Sequence, residues 1–356
     1  MQSAAIAPVK QTPNIADRGV LAQLACLLRA LGGSQYRLRL GILAVSLCLI
    51  VCVVAYGQIR LNEWNGTLTD TLEQRAFGNL GSVIVTFFII VSCLLLLVVM
   101  QTWLQETIKI RLREWLTHDL LDSWLAPKRP YLLAHAGEVG VHPDQYIQAD
   151  ARHLAELSAS LAFGLLQSSL LLISFSGVLW ILSDQVVFRV NGGDSFSIPG
   201  YMVWCALLYA LTGSWLTWLV GRPLIRINAE RYAREADLRF AVVRIHESAE
   251  AIAFHAGETD ERQTVNGAIT TVVTLGRQLA NGVARLTWIT SGYGWLAIVV
   301  PVVVALPGYM FGDLSLGGLA MVVGAFNQVQ LALRWFVDNF SSIADWRATL
   351  LRVVTF

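Results

Sequence analysis

The sequence predicts an all-α membrane protein: six transmembrane helices, with two long helical cytoplasmic loops. Three observations carry that prediction. The 356 residues are 55% hydrophobic and only 14% charged, whereas about a quarter of the residues in soluble domains are charged. Six runs are apolar over roughly the 20 residues a helix needs to cross a bilayer. Nearly all the basic residues lie at the ends of those runs on one side.

Residues 1–35 read as a cytoplasmic segment with one amphipathic helix, VLAQLACLLRAL over Val20–Leu31. It is too short to span a bilayer and suited to lying on the inner face. No charged leader runs directly into an apolar core with a small-residue cleavage site, so a secretory signal is not expected. Residues 36–345 hold the six spans, near Leu40–Gly57, Ser82–Leu104, Ser158–Leu182, Ile198–Val220, Leu286–Pro307 and Leu316–Leu333. Pro301 interrupts the fifth, and Asn327, Gln328 and Gln330 put amides into the sixth. Both features are tolerated at membrane depth when they face other helices or a wet cavity. Residues 346–356 form a cytoplasmic C-terminal end.

Sidedness comes from lysine and arginine. Lys10, Arg18, Arg29, Arg37 and Arg39 precede span one, and Lys109 to Arg152 fall between spans two and three. A run from Arg222 to Arg285 separates spans four and five, and Arg334, Arg347 and Arg352 follow the sixth. The opposite loops hold only Arg60, Arg75 and Arg189. The positive-inside rule therefore puts the basic side, and both termini, in the cytoplasm.

The two long loops on that side run to roughly 50 and roughly 65 residues, far beyond ordinary connections. Both carry helical periodicity. In IKIRLREWLTHDLLDSWL, Ile108, Leu112, Trp115, Leu116 and Leu120 recur at spacings of three and four, which makes one apolar helix face. In EADLRFAVVRIHESAEAIAFHAGE, Leu238, Val242, Ile245, Ala249, Ile252 and Ala256 share a face. Arg239, His246, Glu247 and Glu250 lie off it, and Gly257 supplies a helix stop. Ala249, Ile252, Ala253 and Phe254 read as packing positions.

The net charge of +1 leaves no basic field to attract nucleic acid. The histidines form no HExxH or HxxxH pair and the cysteines no CxxC, so no metal site is expected. Cys26, Cys48, Cys52, Cys93 and Cys205 read as small buried hydrophobes. No nucleophile–base constellation is visible, and no catalytic residue is assigned. The only lysines are Lys10, Lys109 and Lys128, and none follows a glycine loop, so no GxxxxGK[ST] phosphate cradle exists here.

Five stretches in order carry a resemblance: LNEWNGTL (Leu61–Leu68), HPDQYIQAD (His142–Asp150), GRPLIRIN (Gly221–Asn228), HESAEAIAFHAGE (His246–Glu258) and DWRATLLRVVTF (Asp345–Phe356). Over residues 35–356 the chain resembles the transmembrane domain of exporter-type ABC transporters. Within them it is similar to the branch of SbmA/BacA-related bacterial transporters, their ATPase-fused relatives and the peroxisomal fatty-acyl (subfamily D) transporters. There are two departures. Tyr146 stands where the family's Asn-Pro-Asp-Gln-Arg has arginine, and Leu68-Thr69 replaces an aromatic pair.

The resemblance implies a homodimer in a bacterial inner membrane, driven by ATP and Mg2+ on a partner ATPase domain absent from this chain. The coupling turns would hold His142, Pro143, Asp144 and Gln145 in the first loop and Glu247, Glu250 and Glu258 in the second. Asn327, Gln328 and Gln330 are substrate-cavity candidates, with interhelical hydrogen bonding the other reading. Asn62, Glu63, Trp64 and Asn65 are outer-side candidates. Spans without strong charge favour peptides or other amphipathic or hydrophilic cargo. One alternative is a proton-driven SbmA/BacA-like importer. The spans lack Asp, Glu and His, so its relay would fall to Glu63, Asp70 and Glu73. A fatty-acyl transporter domain is a further alternative.

Overall fold

The computed structural model describes residues 36–127, 129–134, 145–189 and 195–355, together with Arg29. Nearly all of it is helix: α1 Arg37–Glu73, α2 Leu80–Trp124, α3 Arg129–Ala134, α4 Ala151–Asp184, α5 Tyr201–Glu247, α6 Ala249–His255, α7 Glu258–Met310, α8 Leu316–Asp338 and α9 Phe340–Thr355. A π-helical turn, Gln145–Asp150, leads into α4. One exception is a small antiparallel hairpin, β1 Phe188–Arg189 with β2 Ser195–Phe196. Six stretches are long and apolar enough to cross a membrane.

The helices overrun the six spans, because charged residues beyond the apolar run continue the same helical spacing. α2 continues some twenty residues past Leu104, carrying Trp115, Leu116 and Leu120 into a buried cluster. The helix formed by the fifth span is not broken at Pro301. α7 runs unbroken through Pro301 and Pro307. Pro301 is fully buried on the face it shares with Ala297 and Ala305, and the helix continues past the one backbone hydrogen bond that the proline removes. Three of the cysteines also differ from expectation. Cys48, Cys52 and Cys93 are exposed on the spans and are not buried within this chain. Val20–Leu31 lies outside the described residues apart from Arg29, and so do His142, Pro143 and Asp144.

The chain divides into two compact units. The first, Met1–Leu182 with Leu314–Phe356, has two cores among the described residues. In the membrane layer Leu47, Ile50, Val51 and Val54 of α1 pack with Leu104 of α2 and with Phe163, Leu166 and Leu170 of α4. At the basic end Trp115, Leu116 and Leu120 of α2 pack with Ala151 and Leu154 of α4 and Leu350 and Val353 of α9. Asp150 closes this second core. Its carboxylate, 7% exposed, accepts two hydrogen bonds from Arg352 at 2.9 Å each. A bidentate guanidinium is the geometry that satisfies a buried carboxylate.

The second unit, Ser183–Asp313, is a long helical hairpin. Ala206, Ala210, Gly213, Thr217, Val220, Leu224 and Ile227 are buried or half-buried on α5. Val265, Ala268, Val272, Leu275, Leu279, Gly282 and Leu286 match them on α7. The alternating spacing of three and four is a seven-residue repeat, which winds two helices into a left-handed coil. The Tyr201 hydroxyl donates to Val304 O at 3.1 Å, and Tyr209 and Tyr293 stack and each donate to the other's carbonyl. Arg244 pairs with Glu261 at 3.1 Å beside the tip. The tip itself turns at Ala256, at φ 49°, just before the expected stop at Gly257, after an additional break at Ser248.

Candidate functional site

Gln58, Asn62 and Asn65 follow one another on α1 at spacings of four and three, so their amides share one face of the helix. α8 presents Gly324 and Gln328, one turn apart, to that face. With Trp64 of α1, Phe87 of α2 and Phe175 of α4, these residues line a cavity of about 480 Å3 inside the first unit. The remaining wall is aliphatic, and no charged side chain among the described residues contributes to it. That size and mixture of apolar wall and few polar groups is typical of small-molecule sites.

Glycine makes the room. Gly324 lies so close to the Asn62 amide that a Cβ at this position would collide with Asn62 Oδ1. Asn62 Nδ2 donates to Met321 O at 3.1 Å, which ties α1 to α8. Trp64 Nε1 donates to Val83 O at 2.7 Å, and its ring packs on Phe87 with centroids 4.5 Å apart. The other amides are free. Gln58 Oε1 is buried and accepts no hydrogen bond among the described residues. Asn65 and Gln328 likewise have no side-chain partner there. Each free amide offers both a donor and an acceptor to a ligand, in a setting where an unmade hydrogen bond is costly.

The sequence candidates divide sharply. Asn62, Trp64, Asn65 and Gln328 come together, although they lie in separate spans. Asn327 and Gln330 are half-buried on other faces of α8 and do not line the cavity. Glu63 points away from it and pairs with Arg60 at 2.7 Å. Asp70 accepts from Gly317 N at 2.7 Å and from Ser315 Oγ at 3.1 Å, holding the first turn of α8, which Ser315 caps. Glu73 is exposed.

In the hairpin, Glu247, Glu250 and Glu258 are exposed and make no ion pair among the described residues. Of the tip positions assigned to packing, only Ile252 is half-buried. Ala249 and Ala253 are exposed, as is Val242 ahead of the break, and Phe254, which lies off the Ile245–Ile252 face, is 86% exposed. Gln145 opens the π-helical turn.

Sequence reasoning missed Gln58, Phe175 and Gly324. The spacing of Gln58 from Asn62 and Asn65 was a usable signal. Nothing local marks Phe175 or Gly324, which reach the cavity only through tertiary packing.

Six long apolar helices with an uncharged, amide-bearing cavity in one of the two units define a multi-pass membrane protein of the transporter class. The chain belongs to the family described as ABC transporter transmembrane region 2, whose profile matches residues 27–310. An inner membrane ABC transporter ATP-binding protein of Escherichia coli (strain K12), YddA, is 30% identical over 347 residues, 97% of this chain and 62% of that protein. An uncharacterized ABC transporter ATP-binding protein of Synechocystis, sll0182, is 27% identical over 73% of this chain and 37% of its own length. ABC transporter D family member 2, chloroplastic, of Arabidopsis thaliana is 27% identical over 72% of this chain and 34% of its own. The chain thus spans less than two thirds of each of these relatives.

Proposed function

We propose that the chain is the translocation part of an ATP-driven transporter of peptides or other amphipathic or hydrophilic solutes, working as a homodimer in a bacterial inner membrane. The observation that carries this reading is the cavity: free amides, aromatic walls and no formal charge. An extended peptide presents alternating N–H and C=O groups, which the Gln58, Asn65 and Gln328 amides complement. A strongly anionic cargo such as an acyl-CoA would find no cation there. ATP and Mg2+ would act on an ATPase domain or subunit, and the names of the relatives above support that assignment. With the basic ends in the cytoplasm, the exposed Glu247, Glu250 and Glu258 lie where such a partner docks. His142, Pro143, Asp144 and Gln145 would form the second contact.

The proton-driven alternative loses support. Asp70 is engaged in holding α8 and Glu63 pairs with Arg60, which leaves the exposed Glu73 as the one carboxylate of the three without a partner among the described residues. The test is uptake of a labelled peptide into proteoliposomes. Its arms are the protein alone, an imposed pH gradient, and a supplied ATPase partner with MgATP. Uptake only with partner and MgATP is expected. Uptake driven by the gradient alone would overturn the reading. A labelled peptide that binds a Gln58→Leu, Gln328→Leu variant as well as the unaltered protein would remove the cavity from the account.

A further inference from the structure

At the basic end of the first unit a second cavity, of about 370 Å3, lies between α2 and α4. Its walls are two stripes at helical spacing, with Glu106, Lys109, Ile110 and Arg113 on α2 facing His153, Glu156 and Leu157 on α4. The apolar run of α2 ends near Leu104 and that of α4 begins near Ser158. The groove therefore sits just beyond the hydrocarbon, at the depth of the lipid headgroups.

Its charges are of both signs and only partly paired. Lys109, with its side chain 20% exposed, pairs with Glu106 at 2.7 Å, and the neighbouring Arg111 pairs with Glu114 at 2.8 Å. Arg113 and Glu156 stand on opposite walls and pair with nothing among the described residues, including each other. A ligand of a single charge would be attracted by one wall and repelled by the other. A ligand carrying a phosphate and an ammonium together satisfies both. Ile110 and Leu157 add an apolar surface where acyl chains would start.

We propose that this groove binds the headgroup of a zwitterionic aminophospholipid, with its phosphate on Arg113 beside Lys109 and its primary ammonium on Glu156. The lipid braces α2 against α4 at the root of the first long loop. A trimethylated ammonium has no N–H to donate and a phosphoglycerol has no cation. The site therefore ranks phosphatidylethanolamine above phosphatidylcholine and phosphatidylglycerol.

Native mass spectrometry of the full chain, titrated with equimolar mixtures of the three lipids, tests the ranking. Phosphatidylethanolamine is expected to be retained about 5- to 10-fold over each of the others, the size of one charge-assisted hydrogen bond. Glu156→Gln should abolish that preference while phosphate lipids still bind. Arg113→Gln should weaken all three, and Arg111→Gln, outside the groove, should change nothing. Soluble phosphoethanolamine at the same concentration should leave the retained lipid in place, since the chains contribute to holding it. Equal retention of the three lipids, a preference for phosphatidylglycerol, or Glu156→Gln and Arg113→Gln behaving as the unaltered protein would each overturn the proposal. Displacement by soluble phosphoethanolamine would overturn the lipid assignment. Arg113 and Glu156 are both exposed, and a melting curve confirms that the variants remain folded.

Discussion

The α1–α8 seam of the first unit and the α5–α7 hairpin of the second are built from similarly apolar helices, yet they use polar groups in opposite ways. On α1–α8 the polar side chains gather around one hole. Asn62 bonds Met321 O, while Gln58, Asn65 and Gln328 surround the cavity with amides that no described residue uses. On α5–α7 they are distributed along the length, Tyr201 to Val304, Tyr209 with Tyr293, and Arg244 to Glu261, each pinning a different level of the hairpin. A polar group that bonds across a helix pair fixes register, whereas one left open beside a cavity is available to a ligand. The first seam is therefore shaped as a site and the second as a strut.

Filling the hole should have the largest effect. Gly324→Leu puts a branched side chain where Asn62 already touches the glycine, costing about 1–3 kcal/mol in overpacking. It also occupies the cavity, so peptide transport should fall by more than tenfold. Gly213→Leu on the strut would strike the Tyr293 ring and cost a similar amount, with peptide affinity kept in the protein that remains folded. Thermal melts and peptide binding measured on both variants decide the matter. Equal loss of affinity in the two would erase the distinction between site and strut.

Next comes Arg352→Ala, which strands the Asp150 carboxylate in the basic-end core. Removing one partner of a fully buried pair costs about 3–5 kcal/mol. Arg352 is 44% exposed, so water screens part of the pair and about 1–3 kcal/mol is expected. A denaturant titration should show this loss. The reciprocal Asp150→Asn should cost less, because the freed guanidinium can turn to water.

The spans and the helical loops were legible because apolar period and basic flanks are local signals. Trp115, Leu116 and Leu120 lie buried where their spacing put them. The site was legible in part. Gln328 and Asn62 drew attention as amides beside or within apolar runs, but Asn327 and Gln330 look identical in sequence and face elsewhere. Which face of α8 meets α1 depends on Gly66, Gly317 and Gly324, and close approach is a property of two helices at once. The same holds for Asp150, whose partner lies 202 residues away. Phe254 deceived for a different reason: it lies two residues past Ile252, off the half-buried stripe that Ile245 and Ile252 share, so its size suggested packing where its position on the helix does not.

A smaller effect separates ligand binding from packing at the site itself. Gln328→Leu keeps the volume and breaks no hydrogen bond to a described residue. The melting temperature should therefore hold, while the KM for a peptide rises about 5- to 10-fold through one lost hydrogen bond. A fall in melting temperature with unchanged KM would assign Gln328 to packing.

The smallest effect belongs to the tip of the strut. Arg244 and Glu261 are 51% and 30% exposed, and their 3.1 Å pair spans α5 and α7 next to the short α6. Exposed pairs contribute about 0.2–1 kcal/mol and weaken as salt rises. Arg244→Ala should leave global unfolding within that margin. Its effect should appear as faster amide exchange confined to Ala249–His255, because the tip opens locally before the heptad stripe does. Raising the salt should speed exchange in the unaltered protein toward the variant's rate. Exchange that quickens equally along α5 and α7 would mean instead that the hairpin melts as one piece, with its register held from the tip and not from the tyrosines.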